Sequence, residues 1–172
     1  MTVEERLAKL ESEIEKMKTS IRTKALCVLD DQGQERIKLV MTEDGPRLAM
    51  LDENDKIRAY LNVAKDGPGL LMLDENDTGR VKMSVSKSGA MIRMAAANGQ
   101  PRVGMKVGKN SPGLFMLDEN NRLCAKMAVD KDGPEIGVMD ANGKTRVKMN
   151  VDKDRPSLAI TDAKENHIWK AP

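Results

Sequence analysis

The sequence predicts a mainly β protein: tandem 22-residue two-stranded repeats forming a homotrimeric β-prism or triple-stranded β-helix, preceded by a short N-terminal trimeric coiled coil. Three observations predict it. The block PRLAMLDENDKIRAYLNVAKDG at 46–67 recurs in strict phase on both sides. Within each block, apolar residues alternate at period two. The first 21 residues instead carry an apolar stripe at coiled-coil spacing. Cutting at the 22-residue period gives copies at 24–45, 46–67, 68–89, 90–111, 112–133 and 134–155, then a shortened copy at 156–172, with no insertion between them. Such strict self-similarity marks a repeat architecture. It divides the chain into a coiled-coil trimerisation helix at 1–23 and a repeat shaft at 24–172.

In the helix, Val3, Leu7, Leu10, Ile14, Met17 and Ile21 are spaced alternately by four and three residues, and charged residues occupy the other faces. The stripe is too narrow for packing on a globular body and suits a coiled-coil seam. About three heptads are short for a helix standing alone, so its partners must be held close by the shaft. The alternation of Leu and Ile along the seam leaves the number of helices open. The run Arg6-Leu7-Ala8-Lys9-Leu10-Glu11 resembles an Arg-hydrophobic-x-x-hydrophobic-Glu pattern of three-stranded coiled coils. That resemblance implies that Arg6 reaches Glu11 of a neighbour and covers Leu10 with its methylenes.

In each full copy, counted from the residue that opens it, positions three and five are apolar, as are fourteen, sixteen and eighteen: Leu70 and Met72, then Val81, Met83 and Val85. This alternation specifies two half-buried strands per copy. Between them lie turn-forming runs such as Asp52-Glu53-Asn54-Asp55, and between copies Lys-Asp-Gly-Pro, where Gly takes positive φ and Pro stops the ladder. Both connections are short, so hairpins on both sides and an antiparallel sheet are expected. Such a sheet has one apolar face and nothing in its own chain to cover it. Three copies around one axis would bury that face, with the coiled coil setting their register.

Composition agrees with a thin interior. The chain has 13 Met against one each of Trp, Tyr and Phe. Met50, Met72, Met94 and Met116 at position five, and Met83, Met105, Met127 and Met149 at position sixteen, form a core ladder of flexible thioethers suited to an irregular seam. Lys plus Arg total 29 against 27 Asp plus Glu, with alternating signs, which points away from nucleic acid as a partner. No apolar run is long enough for membrane insertion and the N-terminus is charged, so a cytoplasmic location is expected, with a virion or other exported particle as the alternative. Cys27 and Cys124 fall about 40 Å apart if each copy advances two strand spacings, too far to pair within the chain.

A trimeric coiled coil running into tandem strand repeats resembles the shafts of bacteriophage tail fibres and tail spikes. It is also similar to bacterial proteins built from DENG-K-x-R followed by KDGPxL. The resemblance covers the architecture of the whole chain and names no functional residues.

Candidate sites recur with the repeat. Asp30, Asp52, Asp74, Asp118, Asp140 and Asp162 stand at position seven. They lack the spacing of a calcium loop and read as turn formers, with Arg36, Arg58, Arg80, Arg102 and Arg146 placed to pair with them. A row of lysines at position twenty, such as Lys65 and Lys87, reads as protection against edge pairing. His167 is the only histidine. By parity it shares a face with Trp169, so a threefold axis could gather three imidazoles around a metal, while Trp169 caps the end of the core. No cofactor and no small-molecule substrate are expected. Acid, base and nucleophilic groups occur only in repeated surface rows, which argues against an enzyme. The leading expectation is a non-enzymatic structural protein, a homotrimeric rod acting as shaft, spacer or scaffold for other proteins of a larger assembly. The alternative is an adhesive or receptor-binding fibre that recognises glycan or protein through its faces or tip.

Overall fold

The computed structural model describes residues 1–20, 23–109 and 111–171; Ile21, the last residue of the expected seam, lies outside them. The chain opens with α1 (Val3–Thr19) and continues in strands alone: β1 (Ala25–Leu29), β2 (Glu35–Thr42), β3 (Gly45–Leu51), β4 (Ile57–Ala64), β5 (Gly67–Leu73), β6 (Gly79–Ser86), β7 (Gly89–Ala95), β8 (Pro101–Gly108), β9 (Pro112–Leu117), β10 (Leu123–Asp130), β11 (Gly133–Met139), β12 (Thr145–Asp152), β13 (Arg155–Thr161) and β14 (His167–Ala171). All fourteen strands form one open sheet in sequence order, each antiparallel to the next. The expectation of hairpins on both sides is borne out, and the coarse fold is a mainly β meander with one short helix.

Two kinds of turn alternate. In the first, an aspartate organises the loop: the Asp52 N–H donates to the Lys56 carbonyl at 2.9 Å, while Asp52 Oδ1 accepts from the Asn54 and Lys56 N–H groups at 2.8 and 3.0 Å. This is an Asx-type closure. Three residues beyond the aspartate position the backbone turns left-handed, at Gly33, Asp55, Asp77, Gly99, Asn121, Gly143 and Glu165, with φ between 59° and 79°. In the second kind, Gly45, Gly67, Gly89 and Gly133 hold φ between 120° and 132°, a region in which L side chains are strained. A Cβ on Gly67 would also lie 2.0 Å from the Val85 carbonyl oxygen of the next such turn. Successive turns therefore stack backbone on backbone. In the sixth copy Arg155 stands where that glycine would be, and Lys153 and Asp154 take the positive φ instead.

A bulge succeeds the first kind of turn. Met50 pairs with Ala59 but Leu51 pairs with Ile57, so Arg58 is an extra residue on β4. The same shift recurs in β5–β6, β7–β8, β11–β12 and β13–β14. It corrects the parity expected at the C-terminus. His167 pairs with Thr161 and Trp169 with Ile160; neighbouring residues of β13 point to opposite faces, so His167 and Trp169 do as well.

The register puts three apolar rows on one face. The central row runs Leu70, Met83, Ile92, Met105, Leu114, Met127, Ile136, Met149 across successive strands. No second layer covers them: each strand touches only its neighbours in sequence, and α1 touches no strand among the described residues. The consequence is that the described residues form no core of their own. The buried apolar side chains among the described residues are Ala49 and Ala95.

α1 is closed at its start by a reciprocal capping box, with Glu5 N–H donating to Thr2 Oγ1 at 3.2 Å and Thr2 N–H donating to Glu5 Oε2 at 2.7 Å. Its seam residues Val3, Leu7, Leu10, Ile14 and Met17 are all exposed.

Candidate functional site

The sheet offers two faces of opposite chemistry. On the apolar face, all eight methionines of the expected ladder lie together, each between 41% and 55% exposed. Around Met83, Ile92, Met105, Leu114 and Met127 the surface dips into an open groove of about 520 Å³ lined almost wholly by carbon. Monomeric proteins rarely leave a continuous apolar patch of more than a few hundred Å² in water. This one runs the length of the sheet. Trp169 sits on the last strand beside Ile160 and remains 48% exposed. His167 is exposed on the same strand, on the opposite face.

The other face is polar and more nearly covered by its own side chains. Its middle row reads Lys38, Ala49, Tyr60, Leu71, Lys82, Arg93, Gly104, Phe115, Lys126, Gly137 and Lys148. The Arg47 guanidinium lies 4.9 Å from the Tyr60 ring centre, a cation–π contact. A Cβ on Gly104 would meet the Phe115 ring tip at 2.2 Å, so the ring lies on bare backbone. Glu135 on β11 takes Lys126 from β10 and, at 3.4 Å, Lys148 from β12, which ties three strands together. The Lys126 ammonium, then Lys148, holds the Glu135 carboxyl below its ordinary range. Between Tyr60 and Gly99 this face opens into a cleft of about 540 Å³ with Asn62, Lys82, Ser84 and Arg93 in its lining.

One rim carries the aspartate and arginine rows. Arg36, Arg58, Arg80 and Arg146 bond Asp30, Asp52, Asp74 and Asp140 of their own hairpins, and Arg36, Arg58 and Arg146 each also donate to the carbonyl of the aspartate in the next hairpin. In the fifth copy Cys124 replaces the arginine, and Arg122 supplies the pair with Asp118 at 2.8 Å from two residues earlier. In the fourth copy Ala96 replaces the aspartate, so Arg102 has no carboxylate at that position. These carboxylates are spent on turn closure: Oδ1 on backbone N–H groups, Oδ2 on arginine. Among the described residues no three His, Cys, Asp or Glu side chains of the single chain gather as metal ligands. Cys27 and Cys124 are free thiols. No described helix is long and apolar enough to cross a membrane.

Sequence reading missed the cleft, the Glu135 clamp and the ring over Gly104, because all three depend on which strand positions face each other. It also missed the capping box, although its signal, Thr2 and Glu5 at the required spacing, was present.

No protein-family model matches the chain, and no curated protein matches it. Among solved structures, the chain is similar to a point mutant of S. aureus TarM in complex with Fondaparinux, alpha-GlcNAc-glycerol and UDP, at 15% identity and a TM-score of 0.39, over 58% of this chain and 21% of that one. The aligned part is about a fifth of the TarM chain. TarM is a glycosyltransferase, and this corrects one expectation: the exclusion of enzymatic activity drawn from the residue pattern does not stand. At that TM-score the likeness carries no argument for a particular activity either.

Proposed function

We propose that the chain is an assembly and spacer module that works as a homotrimer, its three apolar faces turned to a common axis and its three helices joined as a coiled coil. The observation that carries this reading is the absence of a core. Apolar burial is the main favourable term in folding, and a chain whose buried apolar side chains among the described residues are two alanines gains that term only against other molecules. Three identical faces meet the need with one surface and one symmetry operation. The exposed seam of α1 supplies a second contact on the same axis. Arg6 and Glu11 form no side-chain bond within the described chain, which suits pairing between neighbouring helices.

The rod so formed would measure about 25 Å along the helices at 1.5 Å per residue and about 65 Å across the stacked strands. Its outward faces and rims repeat at each copy, so it can hold other proteins of a larger assembly at threefold-related positions. Sedimentation equilibrium tests the reading: the expected mass is three times the 19.0 kDa of one chain. A species of one or two chains overturns it. Met105→Lys, placed at the centre of the apolar face, is expected to shift the mass toward one chain and to raise binding of an apolar dye.

A further inference from the structure

On the polar face, Lys82 of β6 and Arg93 of β7 are directly opposed partners in the register. Facing residues of antiparallel strands hold their Cβ atoms about 5 Å apart, and like charges so placed repel. Elsewhere in the same row the lysines are neutralised: Lys38 by Glu35, Lys126 and Lys148 by Glu135. Lys82 and Arg93 have no such partner, and neither side chain makes a hydrogen bond or ion pair among the described residues. Both are half-buried. They line the polar cleft of about 540 Å³, whose lining includes Gly69, Gly79, Asn62 and Ser84. A Cβ on Gly79 would press on Leu71 at 3.1 Å, so the missing side chain helps keep the floor low. Asp66 also lines the cleft, from the turn before β5, and it forms no ion pair with either cation among the described residues.

We propose that this cleft binds a small organic acid of about the size of one acidic sugar, with its carboxylate between Lys82 and Arg93. The volume is in the range of small-ligand sites. A planar guanidinium takes a carboxylate through two parallel N–H bonds, and the facing ammonium adds a point charge. Asn62 and Ser84 offer neutral donors and acceptors for hydroxyl groups. The cleft is built within one chain, on the face away from the apolar rows, so it does not depend on the trimer. A ligand there would give the rod an adhesive outer surface.

The test is calorimetric titration of the full chain at fixed ionic strength with glucuronate, with glucose and with inorganic sulfate. Saturable binding of glucuronate, none of glucose, and competition by sulfate are expected. Lys82→Gln and Arg93→Gln should each weaken glucuronate binding about tenfold or more, the loss of one charge-assisted bond, whereas Lys126→Gln should leave it unchanged. Binding of sulfate without glucuronate, equal binding in the Gln variants, or no saturable binding overturns the proposal. Both positions are only half-buried and neutralising one of two opposed like charges relieves repulsion, so a variant that melts no lower than the parent chain confirms that a loss is local. Chain mass measured on the same samples separates failure of this site from failure of the trimer.

Discussion

Arg58 donates its Nε to the Asp52 carboxylate at 2.5 Å in its own hairpin and reaches with Nη1 to the carbonyl of Asp74 in the next. One side chain thus closes a turn and fastens it to its neighbour. Because the arginine is the extra residue of the bulge, it stands outside the strand pairing, at a local break in the ladder, and reaches sideways. Arg58→Ala is expected to lower the unfolding midpoint by about 2 to 4 °C, read by thermal denaturation at low salt. Lys56→Ala, whose ammonium makes only an exposed pair with Asp77 at 3.5 Å, should change it much less.

The two glycine positions predict opposite responses. Gly67→Ala meets the Val85 carbonyl and a φ of +125°, and should cost about 1 to 3 kcal/mol by urea denaturation. Gly143→Asn sits at a φ of +75° with nothing within 4 Å of its Cβ. Asn121 already occupies the equivalent place at φ 63°, so this change should stay within about 0.5 kcal/mol.

Acid should undo the first kind of turn. The Lys144 N–H, then the Arg146 guanidinium, hold the Asp140 carboxyl below its ordinary range, and the Gln34 N–H does the same for Asp30. A carboxyl depressed in the folded state stabilises above the unfolded pKa, about 3.9, and that contribution is lost as pH falls through the lower folded value. The melting temperature should therefore hold from neutral pH into the ordinary carboxylate range and fall below it. Asp140→Asn should flatten part of that fall.

The Glu35 carboxylate beside Cys27 pushes its thiol up from the ordinary range. Cys124, whose Sγ donates instead to the Arg122 carbonyl at 3.6 Å, serves as the internal reference. Glu35→Gln should speed alkylation of Cys27 by iodoacetamide at mildly alkaline pH relative to Cys124, with mass spectrometry of the two cysteine peptides as the readout.

The sheet was legible because its signals are local. The alternation of Val81, Met83 and Val85 with Lys82 and Ser84, and the Asp and Gly of each turn, specify strands and hairpins within a dozen residues. What faces what was not. Arg58 enters as a bulge inside an unbroken alternation, so counting by twos carried His167 to the wrong face. The opposition of Lys82 to Arg93 likewise depends on register across a turn, and a slip of one residue would exchange the faces. The aspartates were legible as turn formers because their chemistry is exhausted within a few residues, as the bonds from Asn54 and Lys56 to Asp52 show.

Since each strand touches only the one before and the one after, the span of the sheet is additive. Duplicating or deleting one 22-residue unit would lengthen or shorten the chain's reach by about 10 Å without altering any remaining partner, as in other linear arrays. Length here is a quantity that a gene can edit in fixed increments, and the molecule has the construction of a ruler.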